Sequence, residues 1–138
     1  MTKLTQKIYC PCSSKKLFCE CCEPYLTGKQ TVPTPECLMR SRYTAYSLAC
    51  IDYIQMTMCK KAAENYDPVE AKKWASSVQW RGLIVLDAPP PKNNIGTVTF
   101  IARFSENNIE KEIAEKSVFE KIKGVWFYVQ GIQDIHDP

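Results

Sequence analysis

The sequence predicts an α+β chain in which helices come first and pack into the concave face of a curved antiparallel sheet. A small cysteine-rich knuckle precedes both. Three observations carry this reading. Five of the eight cysteines fall between Cys10 and Cys22. Apolar residues then recur at helical spacing as far as Ser77. After Val78 the period changes to two, and the last segments are joined by two-residue turns, which only antiparallel neighbours allow.

Residues 8–23 form the knuckle, too short for a core of its own. Pro24, Gly28, Pro33 and Pro35 mark 24–35 as a connector. The division is therefore residues 1–30 for knuckle and connector and 31–138 for the α+β domain. Thr34-Pro35-Glu36 starts a helix: Thr34 caps, Pro35 suits the first helical position, and Glu36 complements the positive helix end. That helix is expected over about 35–48, with Leu38, Ser41, Ala45, Leu48 and Ala49 near one face and Met39, Tyr43 and Tyr46 beside it. Ile51, Ile54 and Met58 predict a second helix over Ile51–Lys60. Asp67-Pro68-Val69-Glu70 reads as a capping box, Asp67 accepting and Glu70 reaching back, with a helix to about Ser77.

The strands follow. Gln79–Asp87 is rich in β-formers, and Ala88–Asn94 is a loop. Gly96–Phe104 alternates, with Val98, Phe100, Ala102 and Phe104 on one face. Asn107-Asn108 is a turn, and Ile109–Lys121 places Ile113, Glu115, Ser117 and Phe119 on one side. Lys123-Gly124 turns again into a last strand, Val125–Gln130.

Composition limits the function classes. The chain has 138 residues, 45% of them hydrophobic and 24% charged, as in an ordinary globular domain. No apolar run approaches the ~20 residues of a membrane helix. Met1–Lys7 carries no signal-peptide pattern, so a cytoplasmic protein is expected. The net charge of +3 lies wholly in the first thirty residues, where five lysines meet two acids. Such a weak basic signal, on an otherwise neutral body, argues against nucleic acid as the partner.

Without a secretion signal, the cysteines point to metal or redox chemistry and not to a disulfide scaffold. Cys10-Pro11-Cys12 and Cys21-Cys22 are internally poor disulfide pairs. Two such pairs can converge on one tetrahedral Zn²⁺. The expected ligands are Cys10, Cys12, Cys21 and Cys22, with Cys19 as a substitute for Cys21. Four thiolates leave no open position, so the Zn²⁺ would be structural. Lys7, Lys15 and Lys16 are near in sequence to offset the resulting charge of −2, and the single histidine, His136, is remote.

The run Cys10-Pro11-Cys12-Ser13-Ser14-Lys15-Lys16-Leu17-Phe18-Cys19-Glu20-Cys21-Cys22 resembles the SEC-C motif, the zinc knuckle through which the SecA translocation ATPase contacts the chaperone SecB. That motif usually has glycine where Ser13 and Lys15 stand. Pro33–Tyr46, Trp80-Arg81-Gly82-Leu83, Val98–Phe104, Glu115–Phe119 and Gly124–Gly131 resemble the bacterial YchJ family. The resemblance implies a nuclear-transport-factor-2-like cone. Many members add a second knuckle at the C-terminus and a Trp-His pair after the second helix; this sequence ends at Pro138 and reads Met58-Cys59 at the latter place. Cones of this type often pair through their sheets, which implies a homodimer.

Arg40, Arg42, Tyr43, Asp52, Tyr53, Arg103, Glu115 and Ser117 are the polar candidates of the cone. If Glu115 points inward, Arg40 or Arg42 would pair with it, giving either an ion pair that locks helix to sheet or a pocket for a small polar or anionic ligand. No nucleophile–base pair, metal–carboxylate spacing or glycine-rich phosphate loop is visible. The expected function is a zinc-binding protein-interaction or adaptor module; the SEC-C resemblance implies partners in secretion, chaperone or ribosome-linked work. The alternative is a small-molecule binder or weak enzyme using the cone pocket.

Overall fold

A computed structural model describes residues 8–133. Lys7 and His136 lie outside this range. The knuckle opens with a bridge between Tyr9 and Leu17, a 3-10 turn at Phe18–Glu20 and a single helical turn α1, Glu23–Leu26. There follow α2 Pro35–Ser47, α3 Ile51–Met56, α4 Lys60–Ala63 and α5 Pro68–Ser77. The strands are β1 Gln79–Asp87, β2 Ile95–Glu106, β3 Ile109–Ile122 and β4 Val125–Gln133. They form one antiparallel sheet in the order β1-β2-β3-β4, the expected nuclear-transport-factor-2-like cone.

Local chemistry explains most boundaries. The Thr34 hydroxyl accepts from Cys37 N at 3.1 Å, so α2 starts at Pro35. Asp67 Oδ1 accepts from Val69 N and Glu70 N, both at 3.1 Å. Glu70 does not reach back as a capping box requires; it leans toward Lys73 Nζ, 3.5 Å away. Asn107 and Asn108 both have positive φ, 53° and 65°, as a two-residue type I′ turn demands. Asn93 and Asn94 repeat the device at 53° and 65°, tightening the end of the β1–β2 loop.

The second helix departs from expectation. It stops at Met56, not Lys60, because the sheet takes its next backbone groups. Tyr128 N donates to Thr57 O at 2.7 Å, and Cys59 N donates to Tyr128 O at 2.8 Å. The chain resumes as α4, where Cys59 Sγ accepts from Ala62 N at 3.5 Å. A single helix over 51–60 would forgo these bonds to β4.

Curvature comes from register shifts. β1 shifts against β2 between Trp80 and Gly82 and again between Val85 and Asp87. β3 and β4 shift at Val118/Phe119. An extra residue bends a strand and raises its twist. The concave face so formed carries Val98, Phe100, Ala102, Phe104, Ser117 and Phe119, all buried. Leu38, Ala45 and Ile54 of the helices are fully buried against it. Aromatics close one end: half-buried Trp74 meets half-buried Trp80 and the buried Phe104 edge-on at centroid distances of 5.3 and 5.4 Å.

Pro35 sits directly over Gly96, where a Cβ would run into its ring. Gly96→Ala is therefore expected to force α2 off the sheet and cost about 1–3 kcal/mol, read as a lower urea midpoint at unchanged slope.

Candidate metal centre

The knuckle turns tightly between its first two cysteines and α1. Cys10 N donates to Lys16 O at 2.8 Å, Ser13 N to Cys10 O at 3.2 Å, and Phe18 N to Ile8 O at 2.8 Å. Lys16 N donates to Ser14 Oγ at 3.2 Å. Closing this loop takes left-handed backbone at Ser13 (φ 67°) and Lys15 (φ 72°). These are the two positions where the SEC-C pattern places glycine. The substitution leaves the loop shape intact and adds steric strain, since an L-residue pays roughly 1–2 kcal/mol there.

The loop brings the sulfurs of Cys10, Cys12, Cys21 and Cys22 within 4.8 Å of one another. Cys12 and Cys21 are 3.6 Å apart, and Cys21 and Cys22 are 3.9 Å apart. All four are free thiols, three buried and Cys21 half-buried. Four sulfurs at about 2.3 Å from a tetrahedral ion lie about 3.8 Å from each other. The spacing fits that group, and the cluster can hold a metal ion. Cys19 is exposed and outside the cluster.

Electrostatics suit thiolates unequally. Hydrogen bonds from the Cys10 and Cys22 thiols hold Cys12 far below the usual thiol range, against the effect of burial. Burial pushes Cys21 up to about 11, opposed by Ser14 Oγ at 3.1 Å. Cys22 is pushed up chiefly by its bonds to Cys10 and Cys12, with burial adding to them. One thiolate shared among proton-bearing neighbours is the arrangement a divalent cation would displace.

The cluster is anchored to the rest of the fold on two sides. On α2, Arg40 Nη1 donates to Cys12 O at 2.8 Å while its Nε pairs with Glu36 at 3.0 Å. Burial opposes the Arg40 charge, but Glu36 and the Cys12 sulfur outweigh it and raise its pKa. Thr44 Oγ1 lies 3.6 Å from Cys10 Sγ. On β1, Leu83 N donates to Ser13 Oγ at 3.1 Å, and its neighbour Gly82 N donates to Tyr43 OH at 2.8 Å.

The cone candidates separate. Arg42, Tyr43, Glu115 and Ser117 line one cavity under α2. Arg40 does not; it faces the knuckle. Arg103 pairs with Glu112 at 3.2 Å on the exposed side of the sheet. Asp52 is exposed, and Tyr53 is buried against Ser41 Oγ at 2.7 Å. The expected ion pair between Glu115 and an arginine is absent among the described residues. Arg42 instead donates to Ile54 O and Thr57 Oγ1, and Glu115 accepts from Ser117 Oγ at 2.8 Å. Residues 40 and 42 are about 200° apart around a helix, so a helical wheel already divides them between knuckle and cone. The role of Arg40 was readable on those grounds; the reach of Ser13 to β1, seventy residues away, had no sequence signal.

Comparison with known proteins agrees with this architecture. Residues 34–131 match the family model described as the YchJ middle NTF2-like domain. A UPF0225 protein of Geobacter sulfurreducens is 40% identical over 124 residues, covering 88% of this chain and 77% of that protein. The solution structure of a SEC-C motif containing protein from Rhodopseudomonas palustris superposes with a TM-score of 0.85 at 35% identity. It matches 93% of this chain and 100% of that one. The crystal structure of a SEC-C motif containing protein from Psychrobacter arcticus gives 0.81 at 28% identity, over 94% of this chain and 84% of that one.

Lys15→Gly is expected to relieve left-handed strain and stabilise the protein by up to ~1 kcal/mol. Ser13→Gly should gain less, because it also removes the acceptor for Leu83 N. Paired chemical-denaturation curves of the two variants check the difference.

Proposed function

The chain belongs to the YchJ family, and we propose that it is a zinc-stabilised protein-interaction module: the knuckle is the docking surface and the cone its scaffold. The convergence of four cysteine sulfurs at tetrahedral spacing carries this reading. Cys10, Cys12, Cys21 and Cys22 supply all four positions, so the Zn²⁺ is structural. It clamps a strip that has too little apolar surface to hold itself.

What the clamp presents favours a partner. Ile8 is 58% exposed and Tyr9 64% exposed, immediately before the first ligand. Beside them Leu17, Phe18 and Glu23 line a shallow groove of about 200 Å³. Adjacent large apolar side chains held open to solvent are a typical contact surface. The bridge from Tyr9 to Leu17 ties their position to the hairpin that the ion would fix. The SEC-C resemblance directs the proposal to cytoplasmic partners in secretion, chaperone or ribosome-linked work. No helix among the described residues is long and apolar enough to cross a membrane.

Mass spectrometry of the intact protein should find one zinc per chain, lost in Cys10→Ser and Cys21→Ser; metal kept by both variants would reject the ligand set. Binding must strip protons from Cys21 and Cys22, whose pKa values are raised, so acid should weaken it. With the protons of all three thiols around the Cys12 thiolate released, apparent affinity falls roughly a thousandfold per pH unit on acidification, measured by chelator competition. Partner recovery should drop for chelator-stripped protein and for Ile8→Asp, the latter with full zinc. Equal recovery from all three forms would end the docking proposal.

A further inference from the structure

Between α2, α5 and the concave face of the sheet lies a cavity of about 200 Å³. Its walls are mostly apolar, with Trp74, Trp80, Phe100 and Ile113 among them. Two charged side chains, Arg42 and Glu115, also line it.

Arg42 is only 6% exposed. Its Nη1 donates to Ile54 O at 3.0 Å and Thr57 Oγ1 at 2.7 Å, which uses both protons of that nitrogen. Among the described residues Nε and Nη2 have no acceptor, and no carboxylate lies within ion-pair distance. The guanidinium carbon stands 4.4 Å from the centroid of the Tyr128 ring, and burial lowers its pKa. A buried cation with three free N–H groups is costly unless something pairs with it.

Glu115 presents the opposite case. Its Oε2 accepts from Ser117 Oγ at 2.8 Å, and no cation reaches it among the described residues. The backbone of β4 makes room for it: a Cβ on Gly131 would overlap its carboxyl group. Its charge is felt at Tyr128, which burial first and Glu115 second push up to about 12. One positive and one negative group thus face one void without meeting.

We infer that this cavity binds a small zwitterion of the amino-acid class. Its carboxylate pairs with the free Nε and Nη2 edge of Arg42, a two-pronged match for a carboxylate. Its ammonium pairs with Glu115, and its side chain rests on Trp74 and Trp80. The volume sets the size. Liquid water takes about 30 Å³ per molecule, so the cavity replaces about six or seven waters. That suits a solute of roughly ten non-hydrogen atoms, well below a drug-sized ligand that needs at least about 300 Å³. This binding role goes beyond the docking proposal and does not depend on the metal.

The test is calorimetric titration and thermal shift of the full zinc-loaded chain against the twenty free L-amino acids. Their N-acetyl and amide derivatives, each lacking one charge, serve as controls. At least one amino acid should bind saturably and raise the melting temperature, and its two derivatives should bind at least about tenfold more weakly. Arg42 also secures the end of α3, so the informative variants are elsewhere. Glu115→Gln keeps the shape and the Ser117 contact, and Gly131→Ala displaces the carboxylate. Both should cut affinity at least about tenfold, and Glu115→Gln should no longer distinguish the amino acid from its N-acetyl form. No saturable binding by any of the twenty would overturn the inference. So would binding that N-acetylation and Glu115→Gln leave unchanged, since the ammonium would then have no role.

Discussion

A strip of sixteen residues at the amino end has no apolar core to hold it, so its shape depends on four sulfurs drawn to a common centre. That convergence has consequences well beyond the strip. Cys10, Cys12 and Cys22 are as buried as the aliphatic core and belong to the same packed cluster as Leu38, Ile54 and Val98. The knuckle is therefore a wall of the main fold and not a tethered appendage. Two polar anchors, Arg40 to Cys12 O and Ser13 Oγ to Leu83 N, fix it to the first long helix and the first strand.

Helix α2 carries the load between the two regions. Cys37, Arg40 and Thr44 recur at helical spacing on the side toward the cysteines. Met39, Arg42, Tyr43 and Tyr46 occupy the side toward the cone. Side chains three and four apart share a face and those two apart do not. One helix thus serves two environments with arginines two positions apart in opposite roles. Arg40 offsets the charge of a sulfur cluster, whereas Arg42 is buried among tyrosines with hydrogen-bond capacity to spare. Tyr43 joins the two sides, since its hydroxyl accepts from Gly82 N next to the Ser13 contact.

The sheet supplies the other constraint. Its bulges create the hollow, and β4 both closes the hollow and ends α3 early by bonding the backbone on either side of Met58. Gly131 gives Glu115 a place that any larger residue would take away. Such a concave site is built from strand register, and register is a property of paired strands, not of one segment.

Much of this was legible in the residues themselves. Thr34-Pro35 and Asp67-Pro68 mark helix starts because their side chains satisfy nearby N–H groups, a local matter. Val98, Phe100, Ala102 and Phe104 face inward because a strand alternates. Cys10-Pro11-Cys12 and Cys21-Cys22 announce a metal-type cluster because paired thiols that cannot easily bridge each other can share an ion. What the tertiary structure decided is long-range: the end of α3 at Met56, the choice of Cys21 over Cys19 in the cluster, and the bond from Ser13 to β1. It also left Arg42 and Glu115 facing one cavity without a direct bond. Each of these turns on which distant backbone or side-chain group arrives to compete for a hydrogen bond, and spacing along the chain carries no record of that.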